Sequence, residues 1–337
     1  MRVLMRIVQT LIALLVLALL VGGWWYVPGE LKQRPVLTGS SEDASVRQGA
    51  RRRSYVLYVP QKLAERPALL VVLHSSQSNG ERMRRDSGYR FDALADRDGF
   101  LVLYPDGFEG HWNDCRRAAS YSARQQNIDD VAFLSGMIGR LQRERGVDPA
   151  RVFVTGYSNG GQMALRMAAE APDAVKGVAA VAASLPSADN DACQPAQQAR
   201  AALLMNGTQD SINPYAGGRV TLFGFGDRGA VLSAEDSALA LARRNGQSGA
   251  PEVDRLTDPG PVWTQRQRWS AAGGPPVELV TVHGGGHLIS QPDYRPPRML
   301  GQADPQLDGP AEIWRFFSEL APPQLPTDPL PFNPQAR

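Results

Sequence analysis

The chain has 337 residues, enough for one large α/β domain with a sizeable core or for two small domains. Hydrophobic residues make up 43% and charged residues 21%, which predicts a chain that is globular over most of its length. The 36 basic and 34 acidic residues leave a net charge of +2, and no basic stripe with interleaved aromatic residues is present. This balance argues against a nucleic-acid partner.

The cysteines and histidines do not form a metal-binding pattern. No CxxC or HExxH spacing occurs, and the glycines between His283 and His287 predict a loop rather than a shared helical face. We therefore expect no metal site. The two cysteines, Cys115 and Cys193, are disulfide candidates if the chain is exported, and two unpaired thiols are the alternative.

Residues 1–27 have the pattern of an export signal. Arg2 and Arg6 precede an apolar stretch over residues 11–27, which predicts that the amino terminus stays on the cytoplasmic side and that the rest of the chain is exported to the periplasm or cell exterior. The length of the stretch and the lack of a clear small-residue cleavage site favour an uncleaved signal anchor, through which the chain would contact the membrane. A cleaved signal peptide is the alternative.

The rest of the chain divides into three parts by composition. Residues 28–50 are polar and predict a tether between the membrane and the folded domain. Residues 51–320 carry the apolar patterns of one globular domain. Residues 321–337 are rich in proline and predict an extended tail. We therefore expect the folded domain to begin near residue 51.

Strand and helix patterns alternate along residues 51–320. The apolar and β-branched runs predict strands over residues 54–59, 68–73, 100–104, 152–155, 175–181, 203–205 and 277–282. Helical spacing of apolar residues predicts helices over residues 91–98, from near 127, and over 162–170, 233–245 and 312–320. This alternation predicts a single α/β domain with a mostly parallel central sheet and helices on both faces.

A Gly-x-Ser-x-Gly motif centred on Ser158 follows the predicted strand over residues 152–155 and directly precedes a predicted helix. In this strand–turn–helix context the motif is the nucleophile elbow of the α/β-hydrolase fold. The turn is tight and strained, and it lifts the serine hydroxyl above the sheet, while the glycines avoid collisions with neighbouring backbone. The motif therefore predicts Ser158 as a nucleophile.

A serine nucleophile needs a base and an acid, and in this fold they follow it in the order acid, then histidine. Asp210 comes just after the predicted strand over residues 203–205, where its carboxylate can reach a histidine. His287 follows a glycine-rich loop that can carry it over the sheet edge. We expect a Ser158–Asp210–His287 triad, with His283 as the alternative base.

An oxyanion hole needs two backbone N–H donors, one from the residue after the nucleophile and one from the loop after an early strand. Asn159 supplies the first, and Ser75 or Ser76 is expected to supply the second. Loops that follow the carboxyl ends of parallel strands border the ligand, so we place Trp112 and Leu288 in the substrate cleft.

From residue 54 to residue 320 the chain resembles the poly(3-hydroxybutyrate) depolymerase and feruloyl-esterase-like branch of the α/β-hydrolases. The matching stretches are Leu73-His74-Ser75, Ala93-Leu94-Ala95-Asp96, Tyr104-Pro105-Asp106-Gly107, Trp112-Asn113-Asp114, Asp129-Asp130-Val131-Ala132-Phe133, Tyr157-Ser158-Asn159-Gly160-Gly161, Asn206-Gly207-Thr208-Gln209-Asp210 and Gly284-Gly285-Gly286-His287.

The resemblance implies a Ser158–Asp210–His287 triad, no metal, no organic cofactor, and small-molecule or polymeric ester substrates. The sequence therefore predicts an extracytoplasmic carboxylesterase acting on hydroxyalkanoate, feruloyl or acyl-glycan esters. A serine peptidase or another hydrolase on the same scaffold is one alternative, since fold does not determine function. A membrane-tethered binding protein without catalysis is the other, and the presence of all three triad residues argues against it.

Overall fold

The computed structural model describes residues 2–25, 29–193, 198–270 and 273–321. In this part of the chain the helices are, in order, α1 Arg2–Trp25, α2 Gly80–Asp86, α3 Arg90–Asp98, α4 Ser122–Gln125, α5 Asp130–Arg145, α6 Asn159–Glu170, α7 Ala234–Arg244 and α8 Gly309–Leu320. The strands are β1 Glu30–Leu31, β2 Ser40–Gln48, β3 Arg51–Val59, β4 Leu69–Leu73, β5 Leu101–Pro105, β6 Val152–Tyr157, β7 Gly177–Val181, β8 Ala201–Gly207, β9 Gly218–Arg219, β10 Ala230–Val231, β11 Glu252–Arg255, β12 Trp263–Trp269, β13 Val277–His283 and β14 Tyr294–Arg295.

One ten-stranded sheet organises the described residues, in the order β11-β12-β13-β8-β7-β6-β4-β5-β3-β2. The strands from β13 to β5 pair in parallel, while β2 and β3 at one edge and β11 and β12 at the other pair antiparallel. The predicted mostly parallel sheet is therefore confirmed, with antiparallel strands added at both edges. Strand β6, which leads into Ser158, lies near the centre of the sheet, between β4 and β7.

The two faces of the sheet carry separate hydrophobic layers, as alternating strand side chains require. In β4, Leu69, Val71 and Leu73 pack with α5, α6 and α7, whereas Leu70 and Val72 pack with α3 and α8. Every β4 side chain is fully buried, which explains why the strand is continuously apolar. Each such buried side chain contributes about 1.5–3 kcal/mol of hydrophobic free energy. Helices on both faces are thus confirmed.

The predicted tether over residues 28–50 is wrong for its second half. Residues Ser40–Gln48 form β2, which pairs antiparallel with β3 along its whole length and closes one edge of the sheet. β1 pairs with β14, next to the cleft described below. β2 was not recognised from the sequence because an edge strand with one exposed face can be built largely from polar residues. The domain therefore begins well before residue 51.

The amino-terminal apolar segment forms α1, and its large apolar side chains between residues 5 and 17 are solvent-exposed, Leu11 and Leu15 to 60% each. A search of the described residues finds no helix that is both long and apolar enough to cross a bilayer. The membrane anchor predicted from the sequence is therefore not supported. Residues 26–28 and the predicted tail beyond residue 321 lie outside the described residues.

Candidate active site

Ser158 lies at the sharp turn between β6 and α6. Its backbone angles are φ 56° and ψ −115°, a conformation that non-glycine residues rarely adopt and that costs roughly 1–3 kcal/mol. The turn is held because the Ser158 N–H donates to the Val181 carbonyl of β7 at 2.8 Å. The side chain consequently stands at the carboxyl edge of the sheet, at the amino end of α6.

The glycines on either side of the turn are required by close backbone contacts. A Cβ atom on Gly160 would lie 2.3 Å from the Leu73 carbonyl oxygen, and one on Gly156 would lie 2.2 Å from the Gly160 carbonyl. Both obstacles are backbone atoms, so they cannot move aside as a flexible side chain could. The spacing of the motif follows directly from this packing.

Three side chains from three loops meet at this edge. The Ser158 Oγ lies 2.9 Å from His287 Nε2, and His287 Nδ1 lies 2.7 Å from Asp210 Oδ2. Asp210 and His287 are both buried, with 6% and 4% of their surface exposed. The structure thus brings together the three residues that the sequence singled out. His283, the alternative base, instead stacks on Trp263 with ring centroids 3.8 Å apart.

Neighbouring groups fix the acid and the histidine in place. The second carboxylate oxygen of Asp210 accepts hydrogen bonds from the backbone N–H groups of Ile212 and Asn213, each at 2.8 Å. The Tyr157 hydroxyl donates to the His287 carbonyl at 2.7 Å and ties the histidine loop to the elbow. These contacts limit rotation of both side chains and hold the hydrogen-bonded chain from Ser158 to Asp210 in one arrangement.

The loop after β4 is oriented by a buried histidine. The Gly107 N–H donates to His74 Nε2 at 2.8 Å, so His74 carries its proton on Nδ1 and donates it to the Ser75 carbonyl at 2.7 Å. Burial lowers the pKa of His74 to about 4, which keeps the ring neutral. Because N–H and C=O point in opposite directions across a trans peptide, the Ser76 N–H faces away from His74.

The side chain of Asn159, the residue after Ser158, is held in place by a buried network of hydrogen bonds, called the clamp below. Its Oδ1 accepts from the Trp112 N–H at 2.8 Å, and its Nδ2 donates to Asp114 Oδ2 at 2.6 Å and to the Tyr121 hydroxyl at 3.0 Å. Although burial opposes ionisation, Arg116 and the surrounding hydrogen bonds hold the pKa of Asp114 below its usual value. Asn159 is therefore immobilised at the first position of α6.

This clamp was not anticipated from the sequence, although its signal was present. Trp112-Asn113-Asp114 is among the stretches that carry the family resemblance, but the resemblance gave no role for Asp114.

The same network corrects the prediction that Trp112 lines the substrate cleft. Its side chain is fully buried, its indole N–H donates to the His74 carbonyl at 2.9 Å, and it does not line the cleft. Through its hydrogen bonds to Asn159 and His74, Trp112 supports the elbow and the loop after β4.

A cavity of about 240 Å³ opens onto Ser158 and His287. Ser75, Ser76 and Leu288 line it, as expected, but the sequence missed most of the remaining wall. The rest of the lining comes from several segments: Asp86 of α2, Arg116 from the chain after β5, Tyr157 of β6, Ile212 after β8, Val220, Leu222 and Arg228 of the β9–β10 hairpin, and Ile289, Tyr294, Pro297 and Leu300 from the chain after β13. The lining is mainly apolar with a few charged groups, as in small-molecule sites.

Cys115 and Cys193 form a disulfide bond across 78 residues of sequence, so the alternative of two free thiols is wrong. Cys115 directly follows Asp114, the carboxylate that holds Asn159. The bond therefore fastens the segment that supports the elbow to the chain near Asn190, whose side chain in turn holds the β9–β10 hairpin through the Arg228 and Ala230 carbonyls.

The proteins whose sequences are similar to this chain are named as esterases. Residues 53–200 match the model of the esterase PHB depolymerase family. A Nocardia uniformis subsp. tsuyamanensis protein named "Putative esterase NocK" is 30% identical over 295 residues, covering 82% of each chain. Feruloyl esterase B of Piromyces equi is 26% identical over 237 residues, covering 70% of this chain and 42% of the relative. Acetylxylan esterase of Coprinopsis cinerea is 33% identical over 150 residues, covering 42% of this chain and 40% of the relative.

Among solved structures, the acetyl xylan esterase from Aspergillus awamori superimposes with a TM-score of 0.53 and 18% sequence identity, covering 74% of this chain and 95% of that one. The fold is the α/β-hydrolase fold, and together with the relatives it defines a carboxylic ester hydrolase. More narrowly, the chain belongs to the esterase family of the PHB depolymerases.

Proposed function

We propose that this enzyme is a serine esterase in which Ser158 is the nucleophile, His287 the general base and Asp210 the residue that orients the histidine. The observation that carries the proposal is the continuous chain of short contacts from the Ser158 hydroxyl through His287 to Asp210 at the base of an open cavity. Neither a lone elbow motif nor the relatives' names would assign these roles.

In the first half of the reaction, His287 Nε2 takes the Ser158 proton as Oγ attacks the ester carbonyl carbon. Asp210 keeps the other ring nitrogen protonated and stabilises the imidazolium that forms. The carbonyl oxygen becomes an oxyanion, for which we propose the backbone N–H groups of Asn159 and Ser76 as donors. Collapse of the tetrahedral intermediate breaks the bond to the alcohol oxygen, which leaves with the proton from His287.

In the second half, water attacks the acyl-Ser158 carbonyl while His287 removes its proton. The new tetrahedral intermediate then releases the carboxylic acid and returns the proton to Ser158 Oγ. Ser76 is preferred over Ser75 as the second donor because the Ser75–Ser76 peptide is held by His74, which turns its N–H away from the ring. Among the described residues, the Ser76 N–H has no hydrogen-bond partner.

The proposed substrates are acyl-glycan, feruloyl or hydroxyalkanoate esters. Acetylxylan and feruloyl esterases among the relatives support the first two, and the family supports the third. A cavity of about 240 Å³ accommodates an acyl group and the nearest part of the alcohol, while a longer alcohol or polymer would extend from its mouth.

We also propose that the enzyme works outside the cytoplasm. The Cys115–Cys193 disulfide supports this location because such bonds persist in oxidising compartments. The exposed apolar side chains of α1, preceded by Arg2 and Arg6 in the sequence, support its role as an export signal rather than as part of the core. Recovery of the active enzyme from the periplasm or medium of the producing cell is expected, and recovery only from cytoplasm would contradict this location.

The mechanism is tested by comparing purified wild-type, Ser158→Ala and Ser76→Ala enzymes on p-nitrophenyl acetate and methyl ferulate. Ser158→Ala should lower kcat by about 10⁴-fold or more, as in other serine triads. Ser76→Ala removes a second serine hydroxyl from the same cavity but leaves its backbone N–H in place, so it should retain activity within a few-fold. Undiminished hydrolysis by Ser158→Ala would overturn the mechanism.

A further inference from the structure

The lining of the cavity contains a cation, Arg228, that the proposed mechanism does not use. Arg228 lies on the β9–β10 hairpin, lines the same cavity as Ser158 and His287, and is half-buried. Its Nη1 donates a 3.2 Å hydrogen bond to the Gly226 carbonyl. Among the described residues it forms no ion pair, in contrast to the other cavity arginine, Arg116.

A second guanidinium group, that of Arg116, lies near Arg228. Arg116 also lines the cavity, and it is fully engaged by Asp114 through two contacts, at 3.1 Å and 2.6 Å. Asp114 additionally accepts from Tyr121 and Asn159, so its oxygens are already occupied. Asp114 is therefore committed to Arg116, and among the described residues no carboxylate lies within ion-pair distance of Arg228. Burial and the charge of Arg116 lower the pKa of Arg228, and the nearby Tyr121 and Asp114 offset this only in part.

The acidic group of the cavity does not supply the missing partner. Asp86 lies within 3.1 Å of the Arg85 side chain and is not within ion-pair distance of Arg228. An arginine kept partly desolvated beside a second cation is unfavourable unless a ligand provides the countercharge. A carboxylate matches the planar guanidinium through two parallel hydrogen bonds, so it is the group best suited to this position.

We propose that Arg228 binds a carboxylate group of the ester substrate, so that the enzyme prefers acidic esters to neutral esters of the same shape. This inference rests on the proposed esterase function and names a substrate class within it. The carboxylate can belong to the acyl group, as in the half-ester of a dicarboxylic acid, or to the alcohol, as in an ester of a hydroxy acid. Both place the same chemical group beside Arg228.

Two matched substrate pairs distinguish these sources. On the acyl side, 4-nitrophenyl hydrogen adipate is compared with its neutral methyl ester, methyl 4-nitrophenyl adipate. On the alcohol side, 3-acetoxybenzoate is compared with 3-acetoxybenzamide. The measured quantity is the ratio of kcat/KM for the acidic ester to that for the neutral ester, determined for each pair at low and high ionic strength.

In the wild-type enzyme the ratio should exceed one for at least one pair, and it should fall as salt screens the interaction. Arg228→Gln should lower that ratio about tenfold, because it removes the charged hydrogen bonds to the substrate carboxylate. Arg228→Lys should restore part of it. Arg117→Gln is the matched control, because Arg117 is a neighbouring exposed arginine that does not line the cavity, and its ratio should match the wild type.

Labelling of Ser158 by a fluorophosphonate verifies that each variant is folded. The proposal is overturned if the wild-type ratio is one or less for both pairs, or if Arg228→Gln leaves every ratio unchanged. In either case, continued hydrolysis of the neutral esters by the wild type leaves the esterase function standing. If the wild type hydrolyses neither neutral nor acidic esters of any pair, the proposed function itself fails, and the inference fails with it.

Discussion

The floor of the cleft, formed by the elbow, and the wall formed by the β9–β10 hairpin differ in how closely they are packed. The floor is the elbow around Ser158, where the backbone is closely packed and Asn159 is held by buried polar contacts. The wall formed by the β9–β10 hairpin is exposed, with 41% of Leu222 and 79% of Phe225 accessible to solvent. One region is fixed by the sheet beneath it, whereas the other lies on a loop.

This difference separates reaction chemistry from substrate choice. Positions that hold the nucleophile must satisfy the parallel sheet, the tight turn and the buried network at once, so few residue types fit them. A loop wall is limited mainly by its own turns, and its side chains can change without disturbing the core. The floor therefore defines an ester hydrolase, while Arg228 and its neighbours on the wall determine which esters bind.

Two phenylalanines give the sharpest test of this contrast. Phe153 lies in β6, fully buried and stacked on Phe317 with ring centroids 4.8 Å apart, whereas Phe225 lies at the tip of the hairpin. Phe153→Ala should lower the free energy of unfolding by about 3–5 kcal/mol, and Phe225→Ala should change it by less than about 0.5 kcal/mol. Urea denaturation measures both. Equal losses would mean that the hairpin is as integral to the fold as the core.

The clamp on Asn159 connects stability of the floor to catalysis. Asn159→Ala keeps the backbone N–H but removes the contacts to Trp112 and Asp114, so we expect kcat to fall about 10- to 100-fold with little change in KM. Asn113→Ala is the matched control, because it removes a buried asparagine that bonds to Ile128 rather than to the elbow. If both variants lose stability but keep kcat, Asn159 is only structural.

The same comparison explains what the sequence could predict. The elbow, Asp210 and His287 were found because motif spacing and chain order are imposed by the parallel sheet. β2 and β11 were missed because edge strands tolerate polar residues, and β12, which lies between β11 and β13, was missed because most of its side chains are only partly buried. None of the three displays a continuous apolar run. Trp112 was misplaced because an aromatic residue after a strand can either line a cleft or support it, and only the hydrogen bond to His74 distinguishes the two.

Arg228 could not be found from sequence at all. Its significance depends on Arg116, Asp114 and the hairpin being close in space, although they are distant along the chain. No local pattern encodes that arrangement. The disulfide likewise needed the structure, since two cysteines alone left both the bonded and the free state open.

A smaller effect is expected from the protonation of His74. Burial lowers its folded-state pKa to about 4, below the value of an unfolded histidine, so the unfolded chain binds more protons between these two values. Its stabilising contribution is therefore present above about pH 6.5 and is lost as the pH falls toward 4, at up to about 1.4 kcal/mol per pH unit. Urea denaturation at pH 7 and pH 5 should give a smaller pH difference for His74→Asn than for the wild type. Identical differences would exclude His74 as the source.

The central claim is that Ser158 carries the acyl group during turnover, and mass spectrometry of the trapped enzyme tests it most directly. Wild-type enzyme treated with a fluorophosphonate, or acid-quenched during hydrolysis of p-nitrophenyl acetate, should gain one adduct, and peptide mapping should locate it on Ser158. Ser158→Ala should gain none under the same conditions. An adduct on any other residue, or steady turnover with an unmodified Ser158 throughout, would contradict the account.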